Sequence, residues 1–244
     1  MKTMIQAHRG ASAYRPENTL EAFSLAIEQG ADGIELDVHL SKDREVVVAH
    51  DERLERVSDG IGYISDHTLE ELKMLDFSKP VPGSPACRIP TLREVLTLIK
   101  PTQLMVNVEL KTTEFLYPQL PEKLISLARE FAMEERVLYS SFNHYSLMQL
   151  KKVKPDAKTA LLYELGIVDP WVYANYVNAH AIHPNYRVIA MLPETVAHCH
   201  VNGVKVNVWT VNDPQAISLM LKSGVDGIIT NNPDTAVACR GGKI

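Results

Sequence analysis

Three kinds of feature are scarce in this chain, and each absence narrows its role. Only three cysteines occur in 244 residues, Cys87, Cys199 and Cys239. They are far apart and none sits in a CxxC, so neither a disulfide framework nor a thiolate zinc site is expected. No apolar run approaches the roughly 20 residues that span a bilayer, so no stable membrane insertion is expected. Positive charge is not in excess either: 25 Lys and Arg face 30 Asp and Glu, a net charge of −5. That argues against diffuse binding to nucleic acid or to anionic membranes, which needs a basic field. Any recognition of phosphate must therefore come from a few placed cations. The opening Met-Lys-Thr-Met-Ile-Gln-Ala-His is too short and polar for a signal peptide, and a cytoplasmic location is expected.

What is present suits a soluble globular chain with material for a core, 45% hydrophobic and 23% charged. Met4–His8 reads as a first strand, and a loop follows to Pro16. A helix then begins with Asn18 as its expected N-cap and Glu21 at the capping-box position, and Gly30 ends it. Gly33–Leu40 is the second strand. Glu45–His50, rich in β-branched residues, is its expected hairpin partner. Residues 51 to 90 are polar and broken by Gly60, Gly62, Pro80, Pro82, Gly83 and Pro85. They hold one short helical pattern at Thr68–Leu72 and read as an excursion from the main fold.

From Pro90 onward the rhythm is regular. Strands are expected at 103–110, 137–140, 159–163, 179–183, 204–210 and 226–230. Helices are expected at 91–100, 120–132, 144–153, 171–177, 192–200, 214–222 and 233–238, with Asn212 or Asp213 capping the one that starts at Pro214. Sustained alternation of strand and helix means a parallel sheet with helices outside. About eight such units in this length predict an α/β fold, a closed (β/α)8 TIM barrel. One domain over 1–244 is expected, with a small insertion at about 51–90 after the second strand region. No GxGxxG follows the first strand, which speaks against an open dinucleotide-binding sheet. A closed barrel leaves no sheet edge to cover, so a monomer or a weak homo-oligomer is expected.

In such a barrel, chemistry gathers at the C-terminal ends of the strands. The first strand ends in His8-Arg9. In the second, alternation sends Glu35 and Asp37 to one face and Leu36 and Val38 to the other. The hairpin strand ends in His50-Asp51, and the next barrel strand ends in Glu109-Leu110-Lys111. Carboxylates side by side repel unless a cation holds them charged. Glu35, Asp37 and Glu109 thus make an oxygen-donor site for one hard divalent ion, Mg²⁺ or Ca²⁺, with Mn²⁺ also admissible. Arg9 and Lys111 are placed to grip an oxyanion, phosphate being the best match. His8 and His50 titrate near neutrality and suit an acid–base pair. Together these groups suit phosphoryl transfer.

The same residues carry a resemblance. His8-Arg-Gly-Ala, Pro16-Glu-Asn-Thr-Leu-Glu-Ala-Phe23, Gly33-Ile-Glu-Leu-Asp-Val-His39 and Val48-Ala-His-Asp51 come first. Ile89-Pro-Thr-Leu92, Val108-Glu-Leu-Lys111, Ser140-Ser-Phe142, Val208-Trp-Thr-Val-Asn212 and Gly224-Val-Asp-Gly-Ile-Ile-Thr with Pro233-Asp234 follow, spanning nearly the whole chain. In these segments the chain resembles the glycerophosphodiester phosphodiesterases of the bacterial cytoplasmic type. The resemblance implies a barrel with an insertion after the second strand, His8 and His50 as the catalytic pair, and Glu35, Asp37 and Glu109 as metal ligands. It implies Arg9 and Lys111 near the phosphate, and Trp209 as an apolar wall for the glycerol or the leaving group. The implied reaction is metal-dependent hydrolysis of a glycerophosphodiester, such as glycerophosphocholine or glycerophosphoethanolamine, to glycerol 3-phosphate and an alcohol. The attacking group is either water or the glycerol 2-hydroxyl. The family's last segment often has Asp where this chain has Asn231 or Asn232, a difference expected to touch only a rim contact.

Two other readings use the same residues. A lysophospholipase D would need an apolar groove, and the 51–90 insertion is short of large apolar residues. A barrel that binds a phosphodiester without turning it over has no need of both histidines. An amidohydrolase barrel lacks its usual His-x-His pair, because the first strand ends His8-Arg9. His39 shares a face with Asp37 and is within possible reach of the site. Asn18 is expected to cap a helix and brace the first loop. His144, His183, His198 and His200 are expected to be structural, His183 being the best placed because it ends a strand.

Overall fold

The computed structural model describes residues 2–242. Its strands are β1 (Met4–His8), β2 (Gly33–Leu40), β3 (Val46–Val48), β4 (Met105–Leu110), β5 (Val137–Ser141), β6 (Thr159–Tyr163), β7 (Ala181–Pro184), β8 (Lys205–Val208) and β9 (Gly227–Thr230). They pair in the order β1-β9-β8-β7-β6-β5-β4-β2-β3, and β1 also pairs with β2. Leaving out β3, eight parallel strands close on themselves. The structure is the expected (β/α)8 barrel. β3 lies antiparallel on the far end of β2, Val38 opposite Val48 and Leu40 opposite Val46, and forms the expected hairpin.

The helices cover the outside of the barrel. Leu92–Ile99 shows how the sequence builds one. Thr91 accepts from the Glu94 backbone N–H and Glu94 accepts from that of Thr91, a reciprocal capping box. Leu92, Val95, Leu96 and Ile99 then fall on one face and are buried. That face packs into the main apolar core with Ile34, Leu36, Val38, Val106 and Val108, which point outward from β2 and β4. The core is thus a shell between strands and helices. Truncating fully buried Leu36 to Ala would cost about 2–5 kcal/mol. All eight residues of β2 are buried, so the alternate residues Glu35 and Asp37 face the barrel interior with little solvent to soften their charge.

A second apolar cluster joins Val47 and Ala49 to Leu54, Val57, Ile64, Leu72, Phe77 and Ile89. The apolar residues of the 51–90 segment are therefore used in a satellite core of their own. No helix among the described residues is long and apolar enough to cross a membrane.

Several local expectations need correction. Thr19, not Asn18, is the N-cap of Leu20–Glu28, its hydroxyl accepting from the Ala22 N–H. Asn18 has φ +58°, and its side chain turns inward to β2. The helix expected at 192–200 runs over Glu194–Val201, and an unexpected short helix, Tyr186–Met191, precedes it, the two being separated at Pro193, whose ring removes a helical N–H. Asn185 caps the first of them. Asp213 caps Pro214–Lys222, while Asn212 accepts from the backbone N–H of Asn231. Gly10 is needed where it stands: φ is +83°, and a Cβ there would lie 2.6 Å from the Ala22 carbonyl carbon.

Candidate active site

The C-terminal ends of β1, β2 and β4, with the segment after β3, bring the expected polar residues together. His8, Arg9, Glu35, His50 and Glu109 line one cavity of about 80 Å³, with Phe142, Leu162, Trp209 and Ile229 across from them. Register does the work: His8 pairs with Glu35 across β1 and β2, and Asp37 pairs with Glu109 across β2 and β4. A larger cavity, about 240 Å³, opens at the other end of the barrel between Met4, Gln6, Met105, Leu138 and Lys205. It gathers neither paired histidines nor clustered carboxylates.

Carboxylate oxygens of Glu35, Asp37 and Glu109 lie within 4.8 Å of one another, and all three residues are buried. Burial, then the charges of Asp37 and Glu109, raise the Glu35 pKa well above its ordinary value. Burial and Asp37 raise Glu109 as well. Asp37 goes the other way: burial opposes its charge, but His50, Arg9 and Lys111 together outweigh it and hold the carboxyl well below the usual range. Asp37 Oδ1 is buried and carries no hydrogen bond. Three mutually repelling carboxylates and an orphaned anionic oxygen fit a hard divalent cation, whose charge would satisfy all of them.

The cations stand around this cluster. Arg9, itself at φ +57°, donates its backbone N–H to Glu35 Oε2 at 2.9 Å. Its guanidinium lies 3.0 Å from Glu17 Oε1 and 3.4 Å from Asp37 Oδ2. Lys111 Nζ donates to Glu109 Oε1 at 3.1 Å and lies 3.9 Å from Asp37 Oδ1. It also lies 3.2 Å from His50 Nε2. Burial disfavours the ammonium charge, yet Asp37 and Glu109 raise its pKa.

His8 and His50 each have Nδ1 occupied. His8 Nδ1–H donates to Asn231 Oδ1 at 2.7 Å. Desolvation, with Arg9 beside it, lowers the His8 pKa to about 4. His8 is therefore neutral at pH 7, with Nε2 left as an acceptor. His50 Nδ1–H donates to Asp51 Oδ1 at 2.5 Å. That contact fixes the orientation of the His50 ring.

Opposite, Phe142 and Trp209 meet edge to face with centroids 5.3 Å apart. Trp209 Nε1–H donates to the His183 carbonyl at 2.7 Å, which fixes the indole. The mouth is thus polar on the β1–β4 side and apolar on the β5–β9 side.

Five other histidines sit elsewhere. His39 is fully buried, and its Nε2 lies 3.2 Å from the His50 carbonyl, bracing the chain that carries His50. His183 is buried against Asn207, which donates to its Nε2 at 2.8 Å. His144 donates to the Leu162 carbonyl, His198 stacks on Trp171, and His200 pairs with Asp226. Sequence reasoning undervalued Asn18, whose Nδ2 donates to Asp37 Oδ2 at 2.8 Å. It also undervalued Asn231, whose contact is with His8 itself and not with the rim. Asp51 and Glu17 were passed over although each adjoins a residue of interest. Nothing in the local sequence marks Arg56, which joins them.

The chain is similar to known proteins over nearly its whole length. Residues 8–235 match the model of the glycerophosphoryl diester phosphodiesterase family. A protein named glycerophosphodiester phosphodiesterase from Caldanaerobacter subterraneus subsp. tengcongensis is 48% identical over 241 residues, covering 97% of each chain. One of the same name from Bacillus altitudinis is 41% identical over 240 residues, covering 98% of each. Among solved structures, an Oleispira antarctica phosphodiesterase in complex with the product sn-glycerol-3-phosphate superposes with a TM-score of 0.88 at 28% identity, covering 97% of this chain and 96% of that one.

Proposed function

The chain belongs to the glycerophosphoryl diester phosphodiesterase family, and from that premise we propose that it hydrolyses glycerophosphodiesters to glycerol 3-phosphate and an alcohol, with His8 and His50 as an acid–base pair beside a divalent cation. Glycerophosphocholine and glycerophosphoethanolamine are the proposed substrates. The observation that carries this reading is the pairing of a neutral His8 and an Asp-backed His50 around three buried carboxylates.

Glu35, Asp37 and Glu109 would hold the cation, Mg²⁺, Ca²⁺ or Mn²⁺. When bound, it supplies charge that polarises a phosphoryl oxygen. Arg9 and Lys111 hold the non-bridging oxygens and stabilise the charge that grows on them in the transition state. His8, unprotonated at Nε2, takes the proton of the attacking oxygen as its bond to phosphorus forms. If that oxygen is water, the product is glycerol 3-phosphate directly; if it is the glycerol 2-hydroxyl, the product is a cyclic phosphate that water then opens. His50, supported by Asp51, delivers a proton to the departing alkoxide as its P–O bond breaks. Trp209 and Phe142 form the apolar wall against which the organic part of the substrate rests, leaving the charged half of the mouth to the phosphate.

The test is release of glycerol 3-phosphate from glycerophosphocholine and glycerophosphoethanolamine after chelation, and again with each ion restored. Loss with chelator and recovery with one of the ions is expected. No release with any ion would overturn the reading.

A further inference from the structure

Arg56 lies outside the cavity, on the segment after β3, yet its guanidinium makes two paired contacts at once. Nε is 2.5 Å from Asp51 Oδ2 and Nη2 is 2.8 Å from Asp51 Oδ1. Nη1 is 3.0 Å from Glu17 Oε2 and Nη2 is 2.8 Å from Glu17 Oε1. The two acceptors are not ordinary surface carboxylates. Asp51 Oδ1 is the oxygen that takes the His50 Nδ1 proton, and Glu17 Oε1 is the oxygen that takes the Arg9 Nη1 proton. One planar fork therefore ties the residue that orients His50 to the residue that orients Arg9.

We propose that Arg56 is a positioning residue that sets the geometry of His50 and Arg9 together, and that the 51–90 segment serves catalysis by delivering it. The proposal rests on the hydrolase reading above. Leu54 and Val57, on either side of Arg56, are 0% and 3% exposed in the satellite core, so the backbone that presents the guanidinium is anchored. Without Arg56, Asp51 and Glu17 each lose two charge-assisted hydrogen bonds and lack the cation between them. Asp51 is then free to rotate away from His50, and Glu17 from Arg9. Lysine does not replace the fork, because one ammonium cannot hold two carboxylates in two planar pairs.

The functions of the two arms differ, and the experiment uses that difference. Steady-state hydrolysis of glycerophosphocholine is measured for the intact chain and for Arg56→Gln, Arg56→Lys, Arg56→Ala, Asp51→Asn, Glu17→Gln and the Arg56→Gln, Glu17→Gln pair, with thermal midpoints recorded alongside. Asp51→Asn is expected to lower mainly kcat, and Glu17→Gln to raise mainly KM. Arg56→Gln is expected to do both, with kcat down about 10- to 100-fold. In the double variant the two KM effects do not multiply. Arg56→Lys recovers only part of the rate. Free guanidinium at concentrations below those that unfold the protein partly restores Arg56→Ala and leaves the intact chain unaffected. An Arg56→Gln or Arg56→Lys enzyme with unchanged kcat and KM overturns the proposal. A rate loss that matches a lowered thermal midpoint and that guanidinium does not restore overturns it too. An inactive intact chain overturns the hydrolase reading itself, and this proposal with it.

Discussion

Asn18 donates from Nδ2 to Asp37 Oδ2 at 2.8 Å, and the Asn18 side-chain oxygen accepts from the Asp37 backbone N–H at 3.4 Å. A residue on the first loop thus grips both the side chain and the backbone of the most acidic member of the carboxylate cluster. The contact engages Asp37 Oδ2 and leaves Oδ1 buried without a hydrogen bond.

Removing that grip should weaken the site without removing a ligand. Asn18→Ala is expected to lower divalent-cation affinity by about 10- to 100-fold. Titration of the chelated protein with metal, followed by calorimetry or by competition with a chelating dye, measures it. An affinity equal to that of the unaltered protein would show that Asp37 needs no such support.

Glu109→Gln keeps the shape of the side chain and removes one charge from the cluster. The chelated variant should be as stable as the chelated parent, or more so, because Asp37 and burial both work against that charge. Saturating divalent ion should stabilise the parent, by about 2.7 kcal/mol at a hundredfold excess over Kd, and should stabilise the variant much less. Thermal melts with and without ion compare the two. Equal stabilisation of both would remove Glu109 from the ligand set.

His50→Ala is expected to lower kcat by about 10²- to 10⁴-fold while substrate binding persists, since the proposed mechanism assigns the phosphate to Arg9 and Lys111. Equilibrium binding of glycerophosphocholine to the variant, set beside its turnover, separates the two effects. A near-parental rate would take His50 out of the reaction.

The buried His183 predicts how stability responds to acid. Burial, with His180 adding to it, lowers the folded pKa of His183 to about 3, against about 6.5 when unfolded. Between these values the unfolded chain holds a proton that the folded chain does not. Stability is therefore full above about pH 6.5 and falls as the pH drops through the window toward 3. This one site should cost about 2 to 3 kcal/mol between pH 6.5 and 4.5. His8 and His39, both lowered to about 4 chiefly by burial, act in the same direction. Urea unfolding at the two pH values should show a smaller loss for His183→Gln. An equal loss in parent and variant would mean that His183 does not titrate as a buried group.

Much of this protein is determined by local sequence. The alternation in Gly33–Leu40 was enough to put Glu35 and Asp37 on one face, because strand geometry has a period of two. The Thr91 and Glu94 spacing sets a helix start, since capping is satisfied within one turn. Repetition of such units fixes the barrel, and closure then brings the strand ends to one rim. What the chain does not state locally is which side chains meet across loops. Asn18 satisfies every rule for an N-cap, yet Thr19 takes that place and Asn18 reaches 19 residues along to Asp37. Asn231 meets His8 only because β9 closes against β1. Arg56 sits in a segment without period or motif, and only the packing of Leu54 and Val57 turns it toward Asp51 and Glu17. Backbone periodicity is a short-range property that the sequence determines by itself. Hydrogen bonds between distant side chains depend on where the closed chain puts their partners, and that was decided by the tertiary structure.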